Sequence, residues 1–242
     1  PNGKFSGSIN TSIASDNTRN IALRLNTPLS QNLGTRFSIS SNNEDGFRKN
    51  QYHKISDSNG KNEFFVKNKT KWSPSSFLNF DLSVIYSKQK NKYDTWAADN
   101  NEELKTYSDK EGMDSQNTTA FSLRTNHSNL FGIDFLSITT YSQNEMVHSY
   151  DGDWGNVDYW KGDPFNFDPE AEGWSYDFFD KTNRERQTFS QEIRLYKSIF
   201  TGSQLTTGFY TKSTIEKDIA SGYLMGGNAS NYNGQFNLAN SA

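Results

Sequence analysis

Alternation of side-chain character constrains this chain more than any other feature. Over residues 77–87, Leu78, Phe80, Leu82, Val84 and Tyr86 share one parity, while Asn79, Asp81, Ser83 and Ser87 share the other. Ile85 is the exception. A period of two puts the sets on opposite faces of a β-strand. At about 3.3 Å per residue the segment reaches roughly 36 Å, and a tilt near 40° leaves about 27 Å of height. The apolar band of a transmembrane barrel is about 25 Å tall. Weaker copies occur at residues 5–13, 21–29, 37–41, 66–72, 121–127, 135–142, 189–195 and 205–211. The pattern therefore predicts nine strands.

Composition decides whether such a chain folds at all. Hydrophobic residues make up only 32% and mean hydropathy is -0.88, values that point toward disorder. Against that, aromatic residues reach 14% and the formal net charge is only -3, whereas disordered chains are poor in aromatics and strongly charged. A transmembrane barrel reconciles the two, because only alternate residues meet lipid while the lumen and outer loops stay polar. A secreted glycan-binding sandwich has the same composition. No stretch approaches the 18 or so consecutive apolar residues of a spanning helix. The chain has no cysteine, so no disulfide framework is expected. Pro1-Asn2-Gly3-Lys4 does not read as a signal peptide, and the chain is expected to begin inside a longer protein. The slightly acidic balance gives no reason to expect nucleic acid.

Connection lengths fall into two classes. Residues 29–35, 73–76, 129–132 and 197–203 are short links, whereas 43–63, 88–118 and 143–187 are long and polar, and another long link opens after Ser213. Short turns at one end and long loops at the other are what a barrel with periplasmic turns and extracellular loops requires. A sandwich with Greek-key crossovers has no such rule. The expected architecture is all-β: an antiparallel up-and-down meander whose first strand rises from the periplasm, with residues 15–20 as the first outer loop.

Catalysis has little support. His53, His127 and His148 are scattered, with no second ligand at useful spacing, so no metal centre is expected. There is no G-x-S-x-G elbow, and the loop carboxylates are too many for any pair to stand out. Asp151-Gly152-Asp153-Trp154-Gly155-Asn156 begins like a calcium loop, but its third ligand position is Gly155 and its turn-glycine position is Asn156. A solvated Asx/Gly turn is the simpler reading.

Aromatic residues crowd the segment 149–179. Tyr150, Trp154, Tyr159, Trp160, Trp174 and Tyr176 are the candidate ligand contacts, as rings exposed on a loop must either pack or bind. A self-packed loop on the rim competes with that reading. Trp72, Tyr86, Tyr141 and Tyr210 are expected in girdles at the lipid interface. Arg184, Arg186 and Arg194, with Glu185 and Glu192, enter a strand whose residues Ser190, Glu192 and Arg194 would face the lumen, where the charges pair either with a domain inside the barrel or, as favoured here, with neighbouring strands.

The string Ser149-Tyr150-Asp151-Gly152-Asp153-Trp154-Gly155-Asn156, the later Thr188-Phe189-Ser190-Gln191-Glu192-Ile193-Arg194-Leu195, and Asn43-Glu44-Asp45-Gly46-Phe47-Arg48 after a strand resemble the barrel of TonB-dependent outer-membrane receptors of the siderophore-receptor-like kind. The likeness runs over nearly the whole chain. It implies that residues 1–242 are the N-terminal part of a barrel of about 22 strands, without the plug domain or the C-terminal strands. It also implies a receptor in the outer membrane of a Gram-negative bacterium. Such a receptor contacts lipid, couples to the TonB complex through the missing N-terminal region, and takes up a scarce bulky ligand, most often a ferric siderophore. No enzyme activity and no cofactor are implied. The alternative is a secreted carbohydrate-binding domain with Trp154, Trp160 and Trp174 as sugar platforms; a glycosidase is the third class weighed.

Overall fold

In the computed structural model, which describes residues 4–168, 171 and 178–224, the alternating segments become one long sheet. In chain order the strands are β1 (Ser6–Ile13), β2 (Arg19–Pro28), β3 (Leu33–Glu44), β4 (Arg48–Asn50), β5 (Ile55–Ser58) and β6 (Lys61–Trp72). Then come β7 (Leu78–Tyr93), β8 (Lys105–Thr106), β9 (Gly112–Leu130), β10 (Ile133–Asp151), β11 (Phe178–Phe200) and β12 (Ser203–Leu224), with helix α1 (Val157–Lys161) after β10. Nine of them form an antiparallel sheet in the order β1-β2-β3-β6-β7-β9-β10-β11-β12. That is the expected meander. The short links are Phe131–Gly132 and Thr201–Gly202 between paired strands, with slightly longer ones at 29–32 and 73–77. Gly132 and Gly202 both sit at positive φ, which a two-residue hairpin turn needs and glycine adopts without strain.

Register sorts the side chains. Trp72 faces Phe80, Leu82 faces Leu123, Val84 faces Phe121, and Phe121 faces Tyr141, which in turn faces Phe189. Ile193 then faces Phe209, and on the other flank Phe37 faces Leu25 and Leu23 faces Ile9. One parity across all nine strands thus makes an apolar face. The other parity carries Asn26, Arg36, Lys69, Asp81, Ser83, Arg124, Ser190 and Glu192, as pairs such as Arg36 with Lys69 and Asp81 with Arg124 show.

Among the described residues no second sheet covers the apolar face; the strands pack against their sheet neighbours. Leu136, 6% exposed, is the one buried large hydrophobic among the described residues, while Ile9, Phe121, Phe189, Phe209 and Ile215 are exposed. A soluble sandwich would bury Leu78, Phe80 and Leu82 under a facing sheet. Here they lie half-buried on an uncovered surface. The physical account is an outer face solvated by hydrocarbon and an inner face solvated by water.

The strands outrun the alternation. β7 continues to Tyr93, β9 begins at Gly112 and β11 spans Phe178–Phe200, so the long links are shorter than their sequence suggests. Above the row of Tyr86, Thr119, Gln143 and Gln187 the outward parity turns to Lys88, Asn117, Glu145, Glu185 and Lys217. From Leu78 to Tyr86 the strand rises about 30 Å, or about 23 Å at a tilt near 40°, which fills the hydrocarbon band. Beyond it the ladder stands in water. Tyr210 corrects one expectation: it faces Glu192 and so lies on the polar inner face, not in the lipid girdle that the parity of Trp72, Tyr86 and Tyr141 permits.

Candidate functional site

Above that band the loops build their own small interior, and it is polar. Asn50, Ser58, Thr106, Ser108, Ser149, Asp151, Asp153 and Asn156 are buried. β4 pairs with β5 antiparallel and with β8 parallel, making a three-stranded sheet inside links the alternation leaves unstructured. Asp94 joins it to the main sheet, accepting from the Thr106 hydroxyl at 2.7 Å and from Asn50 Nδ2 at 3.2 Å. Asn50, Ser58, Asp151 and Asn156 each find a partner on another segment, which offsets the cost of taking them from water, whereas Asp94 Oδ1 and the Thr95 hydroxyl are buried without a hydrogen-bond partner among the described residues.

The calcium-like string turns out to be a backbone staple. Asp151, 4% exposed, accepts from the backbone N–H of Asp109 at 2.9 Å and of Asp153 at 3.3 Å. Asp153, 5% exposed, accepts from Gly155 N at 3.0 Å and Phe178 N at 3.0 Å. The Asx turn is there as the sequence suggests, but buried rather than solvated. Burial first, then the charge of Asp109 beside both and of Asp153 beside Asp151, hold both carboxyls well above the usual carboxylate range. Among the described residues no group of three or more His, Asp or Glu side chains is arranged to hold a metal ion.

Asn156 closes the string and opens the helix. Its side chain accepts from Tyr159 N at 3.0 Å as N-cap and donates to Tyr107 O at 2.8 Å. Asp158 in the first turn and Lys161 in the last suit the helix dipole. These signals are local, yet the helix is a single turn and its apolar pattern too short to announce it.

The candidate rings divide. Tyr159 stacks on Tyr107 at 3.9 Å and meets Trp160 and Phe165, while Trp160 packs against Phe165 at 4.8 Å. That group fills the loop. Tyr150 and Trp154 belong to a second group with residues from the 94–111 link and its flanks. Trp154, 40% exposed, stacks on Trp96, 58% exposed, at 6.1 Å. Trp96 Nε1 donates to the Tyr93 hydroxyl at 3.3 Å, and Tyr93 meets His148 at 4.7 Å and Tyr150 at 6.3 Å. Tyr150 donates its hydroxyl proton to Asp180 at 3.3 Å. Trp174 and Tyr176 lie outside the described residues. The chain thus presents a run of rings beside a groove of about 430 Å³ lined by Arg48, Tyr93, Trp96, Asn100 and Lys105. Tyr93 and Trp96 carry no signal in sequence, since they lie far from the crowded 149–179 segment, and His148, at its edge, is read there only as an isolated histidine. Pairing of β7 with β9, and of β9 with β10, brings them together.

Arg184 pairs with Asp218 and Arg186 with Glu216 across β11 and β12, and Arg194 pairs with Glu192 on its own strand. These are partners within the sheet, as the sequence suggests.

Comparison with solved structures fixes the frame in which this groove sits. The ferric yersiniabactin uptake receptor FyuA from Yersinia pestis superposes with a TM-score of 0.69 at 13% identity, covering 93% of this chain and 33% of its own. The chain has the fold of part of a β-barrel wall. The open form of the ferric-catecholate import receptor Fiu from E. coli K12 gives 0.63 at 14% identity, over 92% of this chain and 36% of its own. The copper transporter OprC gives 0.58 at 12% identity, over 91% of this chain and 30% of its own. The chain spans about a third of the length of each. No family model and no curated protein matches it.

Proposed function

We propose that the chain is part of the barrel wall of a TonB-dependent receptor in the outer membrane of a Gram-negative bacterium, one that takes up a scarce, bulky ligand. A ferric siderophore is the cargo we favour, because FyuA and Fiu are named for ferric yersiniabactin uptake and ferric-catecholate import, and PiuA from Acinetobacter baumannii as a siderophore receptor. The observation that carries the reading is the shared register of nine strands, with lipid-compatible side chains at one parity and hydrophilic ones at the other. In this reading residues 1–242 are the N-terminal part of the barrel; the plug, the TonB contact and the remaining strands belong to the rest of a longer chain. The outer loops capture the ligand and the polar face conducts it, without covalent chemistry.

Tyr150 and Trp154, together with Trp96 and Tyr93, form the ligand platform in this reading, whereas Tyr159 and Trp160 hold the loop's shape. The test is growth of a strain lacking the intact gene under iron limitation, supplied with ferric siderophores one at a time. A defect on one of them is expected. Normal growth on every siderophore, with a defect on a glycan or a cobalamin, overturns the iron reading.

A further inference from the structure

The polar face carries its charge unevenly. At the outer end the arginines Arg184 and Arg186 are matched by Asp218 and Glu216. Toward the short turns the cations are not matched. Arg36 and Lys69 oppose each other directly across β3 and β6, and Lys67 lies one step farther along the same strand. Lys71, Asp81 and Arg124 form one row across β6, β7 and β9. Asp81 is the single carboxylate beside five cations, and none of the five makes an ion pair among the described residues. Four of the five, with Asp81, line one concavity of about 370 Å³.

Like charges placed opposite each other on a sheet repel, and the side-chain partners found among the described residues are neutral, Asn26 accepting from Arg36 and Asn126 from Arg124. An anion in the concavity would relieve the repulsion. The cations converge on one hollow whose volume suits a small molecule, which favours a compact occupant over an extended acidic surface. Arg36 and Arg124 offer planar forks for paired oxygens, and the lysines add point charges. A concentration of one sign in a narrow passage also raises the local concentration of an oppositely charged solute.

We propose that this inner wall is an anion site, which takes a small multivalent oxyanion or anionic chelate, and that the cargo of the channel is negatively charged. This inference rests on the reading of the polar face as the lumen of a transporter. It selects, among ferric chelates, those that carry net negative charge.

The test uses the intact receptor that contains this chain, with two probes of similar size: the iron(III) tris-catecholate trianion and a neutral iron(III) tris-hydroxamate. Binding to the purified receptor and uptake of labelled iron by cells are both measured. Wild type is expected to prefer the trianion, with affinity that falls as salt rises. The Lys69→Gln, Lys71→Gln double variant is expected to bind it about tenfold more weakly, a change of about 1.4 kcal/mol. Lys69→Arg retains binding, and so does Lys212→Gln, a control on the same face away from the hollow. Equal binding of the neutral chelate, or trianion binding unchanged in a correctly inserted double variant, overturns the proposal. So does a double variant that unfolds more readily while its anion preference stays intact, for the cations would then serve a protein surface. If the trianion binds with this charge dependence but no chelate enters cells, the anion site stands and the transport reading fails.

Discussion

Trp96 and Trp154 belong to links far apart in sequence, yet each leaves much of its ring in solvent where the two stack. Rings exposed as a pair cost more than half-buried rings packed as Tyr159 is, so the pair is where ligand contact is expected. Trp96→Ala and Trp154→Ala should each weaken ligand binding by about tenfold with little change in stability, read by titration of the intact receptor. Gly155→Ala should do the reverse. A Cβ there would lie 2.7 Å from Trp160 Nε1 and 2.8 Å from the Tyr159 ring, so the helix must shift, at about 1–3 kcal/mol. Faster limited proteolysis of the outer loops would register it. Asp151 and Asp153 give the loops a pH dependence. Their folded-state values lie above the unfolded ones, so the folded loop binds more protons. Their stabilising contribution is complete below the ordinary carboxylate value and is lost as pH rises through the raised values. Protease resistance of the loops should therefore fall between about pH 4 and about pH 8, and Asp151→Asn should flatten that slope.

For the strands, parity decides what a substitution costs. Leu82→Lys puts a charge against hydrocarbon near the middle of the band and should cost about 2–4 kcal/mol in folding into bilayers, whereas Ser83→Lys, one residue on, points into water and should cost little. Urea titration of the membrane-inserted receptor separates the two; equal costs would contradict the assignment of faces. The strand cores of this ladder were legible in the sequence, since alternation is forced wherever one side meets lipid and the other water. Their outer ends were not. From Lys88 upward on β7, and from Gly112 to Thr118 on β9, both parities are polar because both faces meet water, yet the backbone goes on pairing. Hydrogen bonding continues there without any hydrophobic signature to announce it. The three-stranded sheet of β4, β5 and β8 was silent for the same reason: its strands are two to four residues long and are held by side chains such as Asp94 rather than by an apolar face.

At the scale of the molecule, the described residues form one long sheet with no apolar interior, and what burial there is lies mostly in the small polar interior of the outer loops. Among the described residues β1 and β12 each pair with one neighbour, which leaves an unpaired edge on each. Expressed by itself, the 242-residue chain is expected to associate through those edges and its uncovered apolar face, and to give no closed, heat-modifiable barrel. Size-exclusion chromatography in detergent checks this; a monodisperse water-soluble monomer would speak for a self-contained domain instead. The likeness to FyuA over 93% of this chain but 33% of that receptor agrees with a wall segment.

Side-chain alternation and the spacing of short and long links already determined the class of this fold, the number of main strands and which residues share a face. Period two is a local property, written wherever the two sides of a strand meet different solvents. Only the tertiary structure decided which rings stand together: that Tyr159 and Trp160 turn inward onto Tyr107 and Phe165, that Trp154 joins Trp96, and that Arg36, Lys69, Lys71 and Arg124 converge on one hollow. Those neighbours come from different strands, and a strand's partner across the ladder is set by register and sheet order rather than by anything nearby in the chain.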